Sequence, residues 1–98
     1  MMEVKATKSG AQLTLAVKGR VDTTTAPDLS EALALDGISD LTLDLGKVDY
    51  MSSAGLRCLL TAQKTLAQHG GTMKLVHVGA VVREVLDMTG FSDFLTII

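Results

Sequence analysis

The segment Leu41–Leu60, LTLDLGKVDYMSSAGLRCLL, changes its hydrophobic period part-way along, and that change restricts the fold more than any other feature. Leu41, Leu43 and Leu45 alternate with Thr42 and Asp44, the period of two that marks a strand with one buried face. Leu56, Leu59 and Leu60 follow the i, i+3, i+4 spacing of a helix that buries one stripe. The run Tyr50-Met51-Ser52-Ser53-Ala54-Gly55 must therefore turn the chain from strand to helix. A helix opening here presents free backbone N–H groups and the positive end of its dipole beside two hydroxyls. Such a place suits an anion: a bound ligand, a reaction intermediate, or a phosphate carried on a serine.

The other elements assemble around this segment. Val4–Lys8 and Leu13–Lys18 flank Ser9-Gly10-Ala11 and read as a β-hairpin, with Leu13, Leu15 and Val17 on its buried face. Gly19–Thr25 reads as a polar loop. Pro27 in a first turn, capped by Thr24 or Thr25 and followed by Asp28, opens a helix with Leu29, Ala32 and Leu33 inward and Gly37 as its stop. A strand over Asp40–Leu45 precedes the central turn, and a helix runs from about Ala54 to His69. Its outer line is Arg57, Thr61, Lys64 and Gln68. Beyond Gly70-Gly71, Met73–Val78 reads as a strand. A short helix follows with Val81, Val82, Val85 and Leu86 as its apolar side, closed by Gly90, and Phe94–Ile98 reads as a last strand. The order β-β-α-β-α-β-α-β predicts a single α/β domain over residues 1–98. Its sheet is mixed, mostly parallel and covered by helices, because strands joined through helices pair in parallel by right-handed crossovers.

Inventory narrows the chemistry. Aromatic residues make up 3% of the 98 residues, with no Trp, and the net charge is −2 with the basic residues scattered, so no surface is built for nucleic acid. The single Cys58 cannot form an internal disulfide, which fits a reducing compartment. The first residues lack the basic-then-apolar pattern of a signal peptide, and no apolar run approaches the ~20 residues of a membrane span, so a cytoplasmic protein without membrane insertion is expected. Two histidines, His69 and His77, offer no ligand pair at metal-binding spacing, and no G-x-x-x-x-G-K-[ST] loop occurs. Neither a metal nor another cofactor is expected.

The serines admit more than one reading. Either could simply cap the helix, although neither has Glu or Gln three residues on to complete a capping box. A hydrolytic role fits poorly. The nucleophile elbow reads G-x-S-x-G, Met51 stands where Ser53 would need the first glycine, and no histidine is placed as general base. A hydrolytic serine is not expected.

Leu43–Leu56, LDLGKVDYMSSAGL, resembles the signature of STAS domains, and more narrowly that of bacterial anti-sigma factor antagonists. Gly19-Arg20-Val21-Asp22 is similar to the segment after that family's second strand, and Gly79–Phe91 to its third helix and following turn. The resemblance, which spans nearly the whole chain, implies a partner switch, a binding protein and not an enzyme. In it the unphosphorylated protein binds an anti-sigma factor serine kinase and releases a sigma factor. Phosphorylation of a serine ends the binding, and a phosphatase restores it. The acceptor falls on Ser53, before Ala54-Gly55-Leu56. Ser52 is a second candidate, because it occupies a position where many members carry Asp. The resemblance further implies a partner-binding rim of Asp22, Thr23, Thr24, Tyr50, Met51, Ser52, Ala54, Gly55 and Arg57. For Asp22, a turn residue satisfying its own backbone is the alternative. An alternative function is a STAS subunit docking on a membrane transporter complex. Family members usually continue into another helix, so Phe94, Leu95, Ile97 and Ile98 are expected to lack a cover. The protein is expected to be a monomer with a capacity for weak self-association.

Overall fold

The computed structural model describes residues 2–98. Strands β1 (Glu3–Ser9) and β2 (Gln12–Val21) form an antiparallel hairpin, closed where Ser9 pairs with Gln12 around Gly10 and Ala11. Helix α1 (Ala26–Ala32) leads to β3 (Asp40–Met51), and α2 (Ser53–Gln68) leads to β4 (Thr72–Val76). Helix α3 (Ala80–Thr89) and a 3-10 turn (Phe91–Asp93) then lead to β5 (Thr96–Ile97). The five strands lie side by side in chain order, with β2 to β5 parallel. Every crossover therefore steps the same way across the sheet. Right-handed connections then put all three helices on one face.

Alternation along the strands fits that two-layer arrangement. Leu13, Leu15 and Val17 on β2, Leu41, Leu43 and Leu45 on β3, and Met73 and Leu75 on β4 are buried. They share one core with Leu29 of α1, Leu56, Leu59 and Leu66 of α2, and Val82 and Leu86 of α3. Each fully buried leucine contributes roughly 1.5–3 kcal/mol relative to an exposed one. The opposite face carries Thr14, Lys18, Thr42, Asp44 and Lys74 and meets solvent. Mixed sheet, helical cover and element order agree with the sequence expectation, and the 3-10 turn is added to it.

The boundaries differ in instructive ways. β3 continues six residues beyond Leu45, to Met51, and β2 continues to Val21, so Gly19–Val21 belong to a strand and not a loop. Two register shifts explain why alternation failed to show this. Ala16 pairs with Asp44 but Lys18 with Lys47, and Gly19 pairs with Val48 but Arg20 with Tyr50, so β3 inserts one extra residue at each step. Its buried positions then fall at Leu45, Val48 and Met51, a period of three opposite the period of two on β2.

Elsewhere the expected ends move inward. α1 stops at Ala32, well before Gly37, and Leu33 is a half-buried cap residue. β4 stops at Val76, because His77 takes a left-handed φ of 56°. Val81 faces solvent, while Val82, Val85 and Leu86 pack inward. Only Thr96–Ile97 of the last expected strand pair with β4. Leu95 is buried and Ile97 partly so, contrary to the expectation that both lack cover, whereas Phe94 and Ile98 are exposed.

Candidate functional site

The carboxyl ends of β2 and β3 lie side by side, with Val21 in register with Met51. A turn and a helix follow each of them. The two connections are joined directly, since the Ser52 N–H donates to the Val21 carbonyl at 2.8 Å. Asp22 and Ser53 are the next residues along from that bond.

After β2, the Asp22 carboxylate builds the turn. Its Oδ1 accepts the N–H groups of Thr24 at 2.9 Å and Thr25 at 3.1 Å, and its Oδ2 accepts Arg20 Nε at 3.0 Å. Thr25 Oγ1 accepts the Asp22 N–H and donates to the Arg20 carbonyl, each at 2.9 Å. The Thr25 N–H and the other donors hold the Asp22 carboxyl below its ordinary range. The self-satisfying turn is thus the geometry adopted. Thr25 is the residue at the α1 N-cap, but its side chain makes no cap bond to the helix. Thr23 and Thr24 are exposed.

After β3, the two serines have different positions. Ser52 is extended, with φ −86° and ψ 172°, and occupies the N-cap of α2. Its carbonyl accepts Leu56 N–H at 3.0 Å and its Oγ accepts Gly55 N–H at 3.4 Å. Ser53 is the first residue of α2 and is exposed, one place earlier than the helix start read from the sequence. Among the described residues its hydroxyl has no hydrogen-bond partner.

The expected rim divides into surface and support. Tyr50 and Arg57 are exposed, Asp22, Ser52 and Ala54 partly so. Met51 and Gly55, expected in the same rim, are buried in this chain. A Cβ on Gly55 would collide with Met51 Sδ and lie 2.6 Å from Val21 Cγ1. Both residues bring the first turn of α2 down onto the strand ends.

Arg20 is the residue that sequence reasoning passed over. Its guanidinium lies 4.1 Å from the Tyr50 ring centroid while bonded to Asp22. It thereby links the post-β2 turn to the last residues of β3 through a cation–π contact. Only the bulged register brings Arg20 opposite Tyr50; equal counting along the strands would not pair them.

Arg57, without an ion-pair partner among the described residues, edges a cleft of about 520 Å³ between α1 and α2, floored by Leu33, Cys58, Ala62 and Leu66. The Cys58 thiol points at the Ala26 carbonyl, 3.5 Å away, and burial raises its pKa. His69 Nδ1 donates to the Thr65 carbonyl at 2.9 Å, and His77 Nδ1 lies 3.1 Å from Asp44 Oδ1. The described residues hold no group of three metal-ligating side chains, and no helix among them is long and apolar enough to cross a membrane.

The family model for the STAS domain matches residues 3–98. This chain belongs to the STAS family. The STAS chain is 37% identical over 93 residues to BtrV of Bordetella bronchiseptica, covering 92% of this chain and 80% of that protein. It is 31% identical to the anti-sigma-B factor antagonist of Bacillus subtilis, over 98% of this chain and 88% of that one. These relatives place it among the anti-sigma factor antagonists of the family. The crystal structure of an anti-sigma factor antagonist from Mycobacterium paratuberculosis superposes with a TM-score of 0.87. The match covers 99% of this chain and 85% of the other at 24% identity, and so reports the shared fold.

Proposed function

We propose that this STAS domain is an anti-sigma factor antagonist working as a partner switch rather than as an enzyme. Its unphosphorylated form binds an anti-sigma factor serine kinase and so frees a sigma factor. The contact surface is formed by Thr23, Thr24, Tyr50, Ser53, Ala54 and Arg57, with Asp22 and Ser52 shaping it from beneath. Transfer of the γ-phosphoryl group of ATP to Ser53 Oγ, with loss of the hydroxyl proton, ends the binding. Hydrolysis of the phosphoserine by a phosphatase restores it.

The observation that carries this reading is the contrast between adjacent serines. Ser52 is engaged through its N–H, carbonyl and Oγ, whereas Ser53 presents an exposed hydroxyl at the first position of a 16-residue helix. A kinase can reach Ser53 without dismantling the cap. Incubation of the purified protein with ATP and the anti-sigma factor kinase of its own organism should add one phosphate, located on Ser53 by mass spectrometry. Ser53→Ala should abolish the modification and Ser52→Ala should retain it. The reverse pattern would move the acceptor to Ser52. A kinase that neither binds nor modifies the unphosphorylated protein would overturn the proposal.

A further inference from the structure

The sheet face turned away from the helices carries a second candidate site. An open depression of about 710 Å³ crosses β1, β2 and β3 and reaches His77 beyond β4. Its floor is low because Ala16 and Gly46 supply little or no side chain, and Lys5, Lys18 and Lys47 rise around it. Two features mark this spot. Lys18 and Lys47 are register partners on adjacent parallel strands, and like charges directly opposed across strands repel. The first β3 bulge falls here too, with a glycine inside the strand, an arrangement associated with close approach of a ligand or of another part of the chain.

Two carboxylates, Glu3 and Asp44, line the same depression and offset part of the lysines' charge, and Lys47 is among the groups that hold the Asp44 carboxyl below its ordinary range, but neither carboxylate forms an ion pair with a lysine. Asp44 Oδ1 already accepts Gly46 N–H at 3.0 Å and faces His77 Nδ1 at 3.1 Å. Glu3 stands in register with Lys18 but forms no ion pair with it, and among the described residues none of the three lysines makes one. A Cβ on Gly46 would lie 3.1 Å from His77 Cβ and 3.2 Å from Asp44 Oδ1, so the glycine preserves this bracket.

From this juxtaposition of three unpaired lysines, a bulge and a low floor, we propose that the bare sheet face binds a phosphate-bearing anion. That anion is either a free phosphorylated small molecule or the headgroup of an anionic lipid. Ammonium groups supplied by three strands around one depression suit an oxyanion, and a site this open gives modest, salt-sensitive affinity. The site is separate from the serine turn and does not depend on the switching mechanism.

Inorganic pyrophosphate titrated into the ¹⁵N-labelled chain at low salt should shift the amides of Ala16, Gly46 and His77 saturably. Lys18→Gln combined with Lys47→Gln should weaken this by about tenfold or more, and Lys64→Gln on α2 should leave it unchanged. Co-sedimentation with phosphatidylglycerol vesicles but not phosphatidylcholine vesicles, dependent on the same two lysines, assigns the anion to a lipid headgroup. Pyrophosphate binding without vesicle binding assigns it to a free phosphate. Non-saturating shifts spread over all lysines, together with vesicle binding absent or indifferent to the double substitution, would overturn the proposal.

Discussion

At Ser52, three polar groups serve local structure, so its removal has a thermodynamic signature that removal of Ser53 lacks. An N-cap serine is worth about 0.5–2 kcal/mol, and the 3.4 Å bond to Gly55 N–H puts this one at the lower end. Ser52→Ala should lower Tm by about 2–8 °C in a thermal melt, whereas Ser53→Ala should leave it nearly unchanged. Asp22 gives the residue scale its pH dependence. Its carboxyl is held below its ordinary range, first by the Thr25 N–H. The charged form is therefore bound more favourably in the folded state. Its contribution is fully present above the ordinary carboxylate pKa and is lost as pH falls through the lowered value. Melts between pH 6 and pH 2.5 should show a smaller acid loss in Asp22→Asn than in wild type. Equal slopes would mean the turn does not depend on the charge.

At the level of elements, the site depends on how closely α2 approaches the ends of β2 and β3. Gly55 sets that distance, and Val21, β-branched and stiff, is the neighbour least able to yield. Alanine at position 55 gains about 1 kcal/mol in helix propensity but incurs an overpacking penalty of roughly 1–3 kcal/mol. The net expectation is a loss of about 1 kcal/mol, measurable by urea denaturation. In a double-mutant cycle, Val21→Ala should relieve part of the Gly55→Ala defect; additive effects would mean the two side chains do not meet. This contact could not be read from sequence, and the reason lies in β3. Leu41, Leu43 and Leu45 announce a strand because their spacing is two. Val48 and Met51 belong to the same buried row, but Val48 follows one bulge and Met51 two, and a spacing of three resembles neither template. Met51 and Gly55 consequently looked like parts of an exposed turn. The helix face marked by Leu56 and Leu59, the turn at Ser52-Ser53 and the outer line from Arg57 to Gln68 were legible, since each depends on local spacing alone. Arg20 was not, because its role requires a partner on another strand.

For the whole molecule, the proposed phosphorylation of Ser53 has two places to act, the fold or the complex, and magnitudes separate the two. A phosphate adds about −1.5 to −2 charges, and at a helix N-terminus a negative charge stabilises by about 0.3–1 kcal/mol. A like or unpaired charge buried in an interface costs several kcal/mol, with 1.4 kcal/mol to each decade of affinity. Ser53→Asp, a partial mimic, should melt within a few degrees of wild type, retain its circular dichroism and lose most of its affinity for the proposed kinase partner. A collapse of the melt would make the switch a folding event. The strand order has a consequence for how the protein is made. Because β1 to β5 lie in the sheet in the sequence in which they leave the ribosome, each new strand meets a neighbour already in place. At about 5–20 residues per second, the thirty residues between the end of β2 and the end of β3 take roughly 1.5–6 s to appear. For those seconds the nascent hairpin exposes Leu13, Leu15 and Val17 with an unpaired edge. Of the lysines nearby only Lys18 lies on β2, the strand that waits for β3, and a charge on such an edge disfavours pairing with another chain.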